Sequence, residues 1–292
     1  MRSLLFVPAD SERKLAKGGA SGADTLLLDL EDAVSGSRKP AARQMAADYV
    51  RSVRAHEVRP RLYVRINALD TPYWQDDLAG VIAAGPDGIM LPKPRSGEDV
   101  HTLSIALNHA EEQAGATVGA TRIIAIATEM PISLLSMPSY IASSARLAGL
   151  TWGPEDLSAA LGSSATRDAD GRWTSPYRLA RDLALFTAVA AGVQPIDTVF
   201  VDFSDLAGLR EEARVAARDG FTAKMAIHPD QVAVINEMFT PSPAEIARAE
   251  AIVRLFADNP DAGALSLDGE MVDRPHVIRA ERLLARVKRD TA

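Results

Sequence analysis

Arg122-Ile-Ile-Ala-Ile-Ala-Thr-Glu129 is an apolar run that ends on a carboxylate, and Arg146-Leu-Ala-Gly-Leu-Thr-Trp-Gly-Pro-Glu-Asp156 follows the same grammar. Each places an acid where a strand gives way to a loop. In a (β/α)8 barrel the carboxyl ends of all strands open onto one face, so acids from successive strand ends converge on one pocket. Two oxygen ligands with open positions around them suit Mg2+.

Working outward, further short apolar runs stand at Leu4–Val7, Thr25–Leu30, Leu62–Ile66, Gly88–Leu91, Thr198–Phe203 and Phe221–Ile227. With the two above they make eight candidate strands, near-continuously hydrophobic, as parallel strands covered on both faces are. Between them lie helical patterns. Lys39–Arg54 has Pro40 in its first turn, and Glu98–Gln113 carries a three-to-four apolar rhythm that stops before Gly115. The alternation predicts a (β/α)8 TIM barrel over residues 1–240 and a C-terminal helical extension over 241–292. In that tail the spacing predicts helices at Ala244–Ala257 and Pro275–Val287 joined by a Gly/Asp-rich link, Asn259–Glu270, too small for a core of its own and suited to serve as a lid. A polar loop at 163–175 is expected to line the pocket mouth.

Composition narrows the class of function. The chain has 292 residues, 47% hydrophobic and 24% charged, and a net charge of -7 with its 32 basic residues dispersed, which argues for a small-molecule substrate and against nucleic acid. The absence of cysteine excludes thiolate chemistry and Cys-ligated zinc, and fits a reducing compartment. The opening Met1-Arg-Ser-Leu-Leu-Phe-Val-Pro is too short for a signal peptide, and no stretch approaches a membrane span, so a cytoplasmic location is expected.

Several residues carry two readings each. Asp29-Leu-Glu-Asp32 closes the second strand, where Asp29, Glu31 and Asp32 either orient groups around a metal or cap a helix. Arg65, inside an apolar strand, either grips a substrate carboxylate or pairs with Asp29 or Glu31. Glu129 and Asp156 either bind metal or complement helix N-termini. Lys93 and Lys224 raise a rival chemistry, a Schiff-base aldolase with a desolvated lysine. His228 reads as a base, a donor or a cap. Arg13, Lys14 and Lys17 are the candidates for an anionic group such as a phosphate.

Taken in order, Arg2-Ser-Leu-Leu-Phe-Val-Pro-Ala, Asp29-Leu-Glu-Asp-Ala-Val, Val64-Arg-Ile-Asn, Leu91-Pro-Lys, Ala127-Thr-Glu-Met-Pro, Trp152-Gly-Pro-Glu-Asp-Leu, Ala223-Lys-Met-Ala-Ile-His-Pro and Asp268-Gly-Glu-Met-Val-Asp-Arg-Pro-His form a series. The chain resembles the citrate lyase beta-subunit-like branch of the HpcH/HpaI aldolase superfamily, which includes malyl-CoA and citramalyl-CoA lyases. The resemblance implies a Mg2+-dependent lyase that cleaves or forms a 3-hydroxyacyl-CoA from an acyl-CoA and a 2-oxo acid. It implies Glu129 and Asp156 as metal ligands and Arg65 as the grip on the substrate carboxylate. Phe6, Lys17, Glu155, Ile227 and His228 match positions that contact the CoA ester or the 2-oxo acid. Asp273, in the tail, matches an aspartate that a lid brings into a neighbouring subunit's site, which implies a homotrimer or a hexamer and a role as general base. Alternatives within the resemblance are a citryl-thioester lyase beta subunit acting on an acyl-carrier protein and a malate-synthase-like condensing thioesterase. The chain departs from the pattern at Met130-Pro131, beside the glutamate, and at Ser11, where malyl-CoA lyases carry an arginine, so that a phosphate contact is either missing or supplied by Arg13.

Overall fold

The apolar runs become strands because their residues are buried on both faces, so the hydrophobic term applies to every position and not to every second one. In the computed structural model, which describes residues 1–290, β1 (Ser3–Pro8), β2 (Thr25–Asp29), β3 (Arg61–Arg65), β4 (Gly88–Leu91), β5 (Arg122–Ile126), β6 (Leu147–Thr151), β7 (Gln194–Asp197) and β8 (Ala223–Ala226) close in that order into a parallel barrel. β8 pairs back onto β1, with Ser3 beside Lys224. The interior is filled by Leu4, Leu27, Tyr63, Met90, Ile124, Ile196, Ala223 and Met225. Alternate residues face an outer layer of helices, as in a TIM barrel.

That layer comprises α1 (Glu12–Gly19), α2 (Lys39–Arg54), α3 (Trp74–Val81), α4 (Gly97–Gln113), α5 (Pro131–Leu135), α6 (Pro154–Leu161), α7 (Ser175–Ala190), α8 (Leu206–Asp219) and α9 (Pro229–Phe239). Local chemistry sets several starts. Ser11 caps α1 by accepting from the Lys14 amide at 3.4 Å, and Ser96 caps α4 by accepting from the Glu98 amide at 3.1 Å.

The seventh strand differs from the expected Thr198–Phe203 and lies just before it. Pro195 obscures it in the sequence, yet a barrel strand accepts proline where its carbonyl alone is needed. Here Pro195 pairs with Leu150, and its carbonyl accepts from the Thr222 amide at 3.1 Å. The run expected as strand is a loop that exposes Val201 and Phe203 by more than half, at 56% and 54%.

The described chain divides into two units, Met1–Asn236 and a second from Glu237. The second contains α10 (Pro243–Ala257), an antiparallel hairpin of β9 (Ala264–Leu267) and β10 (Glu270–Asp273), and α11 (Arg274–Asp290). α10 starts at a capping box in which Ser242 and Glu245 satisfy each other's amides. The hairpin starts within the expected Gly/Asp-rich link, Asn259–Glu270, and runs past its end, and it turns on Asp268-Gly269 with φ of 53° and 82°, the left-handed pair of a type I′ turn. Contrary to the expectation of a coreless tail, Ala249, Ile252, Phe256, Val272, Val277 and Ala280 gather into a small apolar core. Among the described residues no helix is long and apolar enough to cross a membrane.

Candidate active site

Parallel pairing brings the charged strand ends together. In the β2–β3 register Asp29 stands beside Arg65, and neighbours in a parallel register point the same way. Arg65 Nε donates to Asp29 Oδ1 and its Nη2 to Asp29 Oδ2, each at 2.7 Å, a bidentate fork. Its Nη1 lies 2.8 Å from Glu31 Oε2 without the alignment of a hydrogen bond. Phe6, from β1, covers the guanidinium at 4.8 Å. Burial alone would lower the Arg65 pKa, but Asp29 and then Glu31 outweigh it and hold the group charged. Of the two sequence readings of Arg65, the pairing with Asp29 and Glu31 is present, and the residue also lines the central cavity. Three of its five N–H donors face these acids, which leaves two for another partner.

That cavity, about 340 Å3, is lined by Phe6, Asp29, Asp32, Arg65, Glu129, Gly153, Glu155, Asp156 and Ile227, with apolar walls from Ile126, Val199 and Met225. Glu129 follows β5 and Asp156 lies in the first turn of α6. Their loops are tied together: the Gly153 amide donates to Thr128 Oγ1 at 3.1 Å, and the Ala127 amide to the Thr151 carbonyl at 2.8 Å. Gly153 is glycine for lack of space, since a Cβ there would stand 2.7 Å from Glu129 Cγ and 3.2 Å from Ile126 Cγ2.

Burial, and then the charge of Asp156, pushes the Glu129 carboxyl well above the usual carboxylate range. Burial likewise raises Glu31, with Arg65 and Lys93 opposing. Lys93 stands at the end of β4 with φ of 50°, a left-handed conformation that costs a non-glycine residue on the order of 1 kcal/mol. Its amide donates to Glu129 Oε2 at 2.5 Å. Its Nζ lies 2.5 Å from Glu31 Oε1, 3.2 Å from Asp32 Oδ2 and 3.3 Å from Asp156 Oδ1. Burial opposes the Lys93 charge, but the bond to Glu31 and the nearby acids raise its pKa.

A divalent cation fits these residues on one observation. Asp29, Glu31 and Asp32 have both carboxylate oxygens engaged by Arg65, Lys93 or backbone amides. Glu129 has one oxygen held by the Lys93 amide, and Asp156 has one facing Lys93 Nζ. Among the described residues no hydrogen bond engages Glu129 Oε1 or Asp156 Oδ2, and both residues line the cavity. One oxygen of each is thus left without a hydrogen bond, and a bound cation would offset the burial and the Asp156 charge that raise Glu129. No group of three or more acids or histidines is arranged as a complete metal cage among the described residues, which matches a hard cation that keeps several positions for water or substrate.

The two candidate Schiff-base lysines do not suit that role. Lys224 is fully buried between β8 and the helix layer, 2.7 Å from Asp197 and 2.9 Å from Glu212. Burial works against its charge and the two acids outweigh it, raising its pKa. It alternates with the inward-facing Ala223 and Met225 and so points away from the cavity. Lys93 is held charged and lies behind the acids. A Schiff base needs a neutral amine.

A second cavity, about 500 Å3, adjoins the first through Phe6, Pro8 and Ile227 and is lined by Arg13, Lys14, Lys17 and His228. His228 stacks on Phe203 at 5.2 Å, and its Nδ1 accepts from the Asp230 amide at 3.3 Å, so its ring is fixed in part as a backbone cap. Asp273 stands at the end of β10 in the second unit, with its carboxylate 2.5 Å from His276 Nδ1. The loop at 163–175 lines neither cavity. Trp173 instead packs edge-on against Trp152 at 5.0 Å while the Arg167 guanidinium covers Trp173 at 3.6 Å. Sequence reasoning missed the apolar walls Ile126, Val199 and Met225 and the tie through Thr128. Alternation within β5 and β8 was the available signal for Ile126 and Met225.

The family model described as HpcH/HpaI aldolase/citrate lyase matches residues 2–229. The citrate lyase subunit beta of Leuconostoc mesenteroides subsp. cremoris is 33% identical over 285 residues, covering 97% of this chain and 92% of that one. The L-malyl-CoA/beta-methylmalyl-CoA lyase of Cereibacter sphaeroides is 33% identical over 298 residues, covering 96% and 92%. The crystal structure of CitE from Mycobacterium tuberculosis in complex with magnesium, acetoacetate and coenzyme A superimposes with a TM-score of 0.78 at 34% identity, covering 98% of this chain and 97% of that one.

Proposed function

Because the chain belongs to the HpcH/HpaI aldolase/citrate lyase family, we propose that it is a Mg2+-dependent carbon–carbon lyase of the cytoplasm. It cleaves, or in reverse forms, a 3-hydroxyacyl-CoA of the malyl-CoA or citramalyl-CoA type, with an acyl-CoA and a 2-oxo acid as the other side of the reaction. The observation that carries this reading is the pair of carboxylates, Glu129 and Asp156, each with an oxygen that accepts no hydrogen bond, at the cavity that Arg65 also lines. Glu129 and Asp156 would hold Mg2+, which when bound supplies the positive charge that acidifies a hydroxyl and polarises a carbonyl.

The remaining roles fall to the chain's own residues. Arg65 offers its two remaining N–H groups to the substrate carboxylate and aligns the bond to be cut. Phe6 and Ile227, shared by both cavities, seat the thioester, and Glu155 borders it. Arg13, Lys14, Lys17 and His228 give the second cavity the positive lining that phosphates of a CoA tail require. Asp273, delivered by the second unit of a neighbouring copy in a trimer or hexamer, takes a proton from the acyl-CoA carbon. That carbon then bonds to the 2-oxo carbon, whose carbonyl π pair moves onto oxygen; the alkoxide takes a proton from solvent to become the hydroxyl, and Asp273 releases its proton to solvent. In cleavage the same steps run backward, and Asp273 returns the proton.

The likeness to a citrate lyase beta subunit supports a second reading, in which the thioester is carried on an acyl-carrier protein. The test is a mass-spectrometric assay of the purified chain with Mg2+, acetyl-CoA or propionyl-CoA, and glyoxylate, pyruvate or oxaloacetate. It is repeated with EDTA, with borohydride and with acyl-carrier thioesters. An EDTA-sensitive 3-hydroxyacyl-CoA is expected, with no borohydride-trapped adduct. Product from the carrier thioester alone would move the assignment to the second reading, and an EDTA-resistant, borohydride-trapped enzyme would overturn both.

A further inference from the structure

Lys93 has no part in the chemistry just described and lines neither cavity, yet it touches more of the acidic cluster than any role in packing needs. Its Nζ reaches Glu31 and Asp32, which follow β2, and Asp156, in the helix that follows β6, while its amide reaches Glu129 after β5. A hard divalent cation takes about six oxygens. If Glu129 and Asp156 supply one each, roughly four positions remain for water and a chelating acid. Asp32 borders the same cavity, and Glu31 lies between Lys93 and the cavity-lining Arg65. Both are acids that would complete a cation's shell if nothing held them. Lys93 holds both oxygens of Asp32 and one of Glu31, and faces one oxygen of Asp156, while Arg65 lies 2.8 Å from the other oxygen of Glu31 and 3.8 Å from Asp32.

We propose that Lys93 is a positioning residue that reserves the metal's open coordination positions for substrate. It keeps Glu31 and Asp32 off the cation and fixes which oxygen of Glu129 and of Asp156 faces the cavity. This rests on the reading that Glu129 and Asp156 hold the metal. The left-handed backbone at Lys93 fits the same role, because that conformation lets one residue present its amide to one ligand and its side chain to the other.

The experiment uses Mn2+ as the probe on the full-length chain, with its affinity read by titration calorimetry and its retained waters by water-proton relaxation. In Lys93→Met the freed acids are expected to join the ion. Mn2+ then binds at least about tenfold more tightly and keeps three or fewer of its roughly four waters. The triple variant Lys93→Met/Glu31→Gln/Asp32→Asn is expected to restore the water number. Lys93→Gln, which retains a donor for Glu31, serves if the methionine variant does not fold, and the same loss of water is expected. An unchanged or larger water number in the folded Lys93 variant overturns the proposal, however the affinity moves. Glu129→Gln and Asp156→Asn test the underlying reading separately. If they bind Mn2+ as the native chain does, the metal assignment itself fails. If they lose the ion while Lys93→Met keeps its waters, only the role of Lys93 fails.

Discussion

At Glu129 a carboxylate is buried against apolar walls with a second carboxylate for a neighbour, an arrangement that destabilises the charged form until a cation arrives. The close packing around it makes Gly153 a sensitive position. Gly153→Ala would push a methyl into Glu129 Cγ and Ile126 Cγ2, and is expected to destabilise the fold by about 1–3 kcal/mol. By tilting Glu129 it should also weaken Mg2+ binding by at least roughly tenfold. Denaturant unfolding in EDTA and calorimetric titration read the two effects apart, and an alanine variant with native metal affinity would show that the loop does not set the ligand. Residue by residue, the sequence made the acids visible but left their partners open. Arg65 is a case in point: its pairing with Asp29 depends on strand register, which composition and spacing do not encode.

Among the elements, the charges at the opposite end of the barrel serve the fold. Arg146, just before β6, donates to Glu111 on α4, to the Thr121 carbonyl and to Asn108, and the Gly119 and Thr121 amides also donate to Glu111. Burial opposes the Glu111 charge, but Arg146 and these amides outweigh it and pull the carboxyl down to about 2. A depressed folded-state pKa contributes stability that is complete above the unfolded value, near 4.5, and is lost as pH falls toward 2. Glu111→Gln is therefore expected to lose about 3 kcal/mol at pH 7, because Arg146 stays buried without a counter-charge. The gap to the native chain should shrink below pH 4.5, as urea midpoints at pH 7, 4.5 and 3 would show. A gap independent of pH would mean that Glu111 contributes shape and not charge. Element boundaries were legible where caps and breakers are local, as at Lys39–Arg54, whose limits match the helix. β7 was misplaced because Thr198–Phe203 carries the stronger apolar signal, whereas the strand is selected by where Leu150 and Lys224 offer partners. The hairpin of β9 and β10 carried its own sign in Asp268-Gly269, but starts in a link read only as Gly/Asp-rich.

For the molecule as a whole, the proposed site draws acids from the ends of β2, β5 and β6 and cations from β3 and β4, while the proposed base, Asp273, sits in the other unit. If Asp273 acts in a neighbouring copy's site, chains carrying Asp273→Ala and chains carrying Glu129→Gln should each be inactive alone yet complement each other. Unfolded together and refolded as a one-to-one mixture, they should regain about a quarter of native activity, since half the sites keep Glu129 and half of those meet an intact Asp273 in a closed ring of like contacts. No recovery, with both variants folded and inactive alone, would place Asp273 in its own chain's site, and an Asp273→Ala chain active by itself would put it outside the chemistry. The sequence by itself determined the barrel, because eight runs buried on both faces, alternating with capped helices, have few other ways to hide their apolar surface. It also determined which carboxylates and cations stand at strand ends, since chain order places them there. Only the tertiary structure decided which oxygen of Glu129 the Lys93 amide holds, that Lys93 reaches acids after both β2 and β6, and that Lys224 faces away from the cavity. Those outcomes depend on barrel closure, register and alternation, which set distances between residues far apart in the chain that no local pattern records.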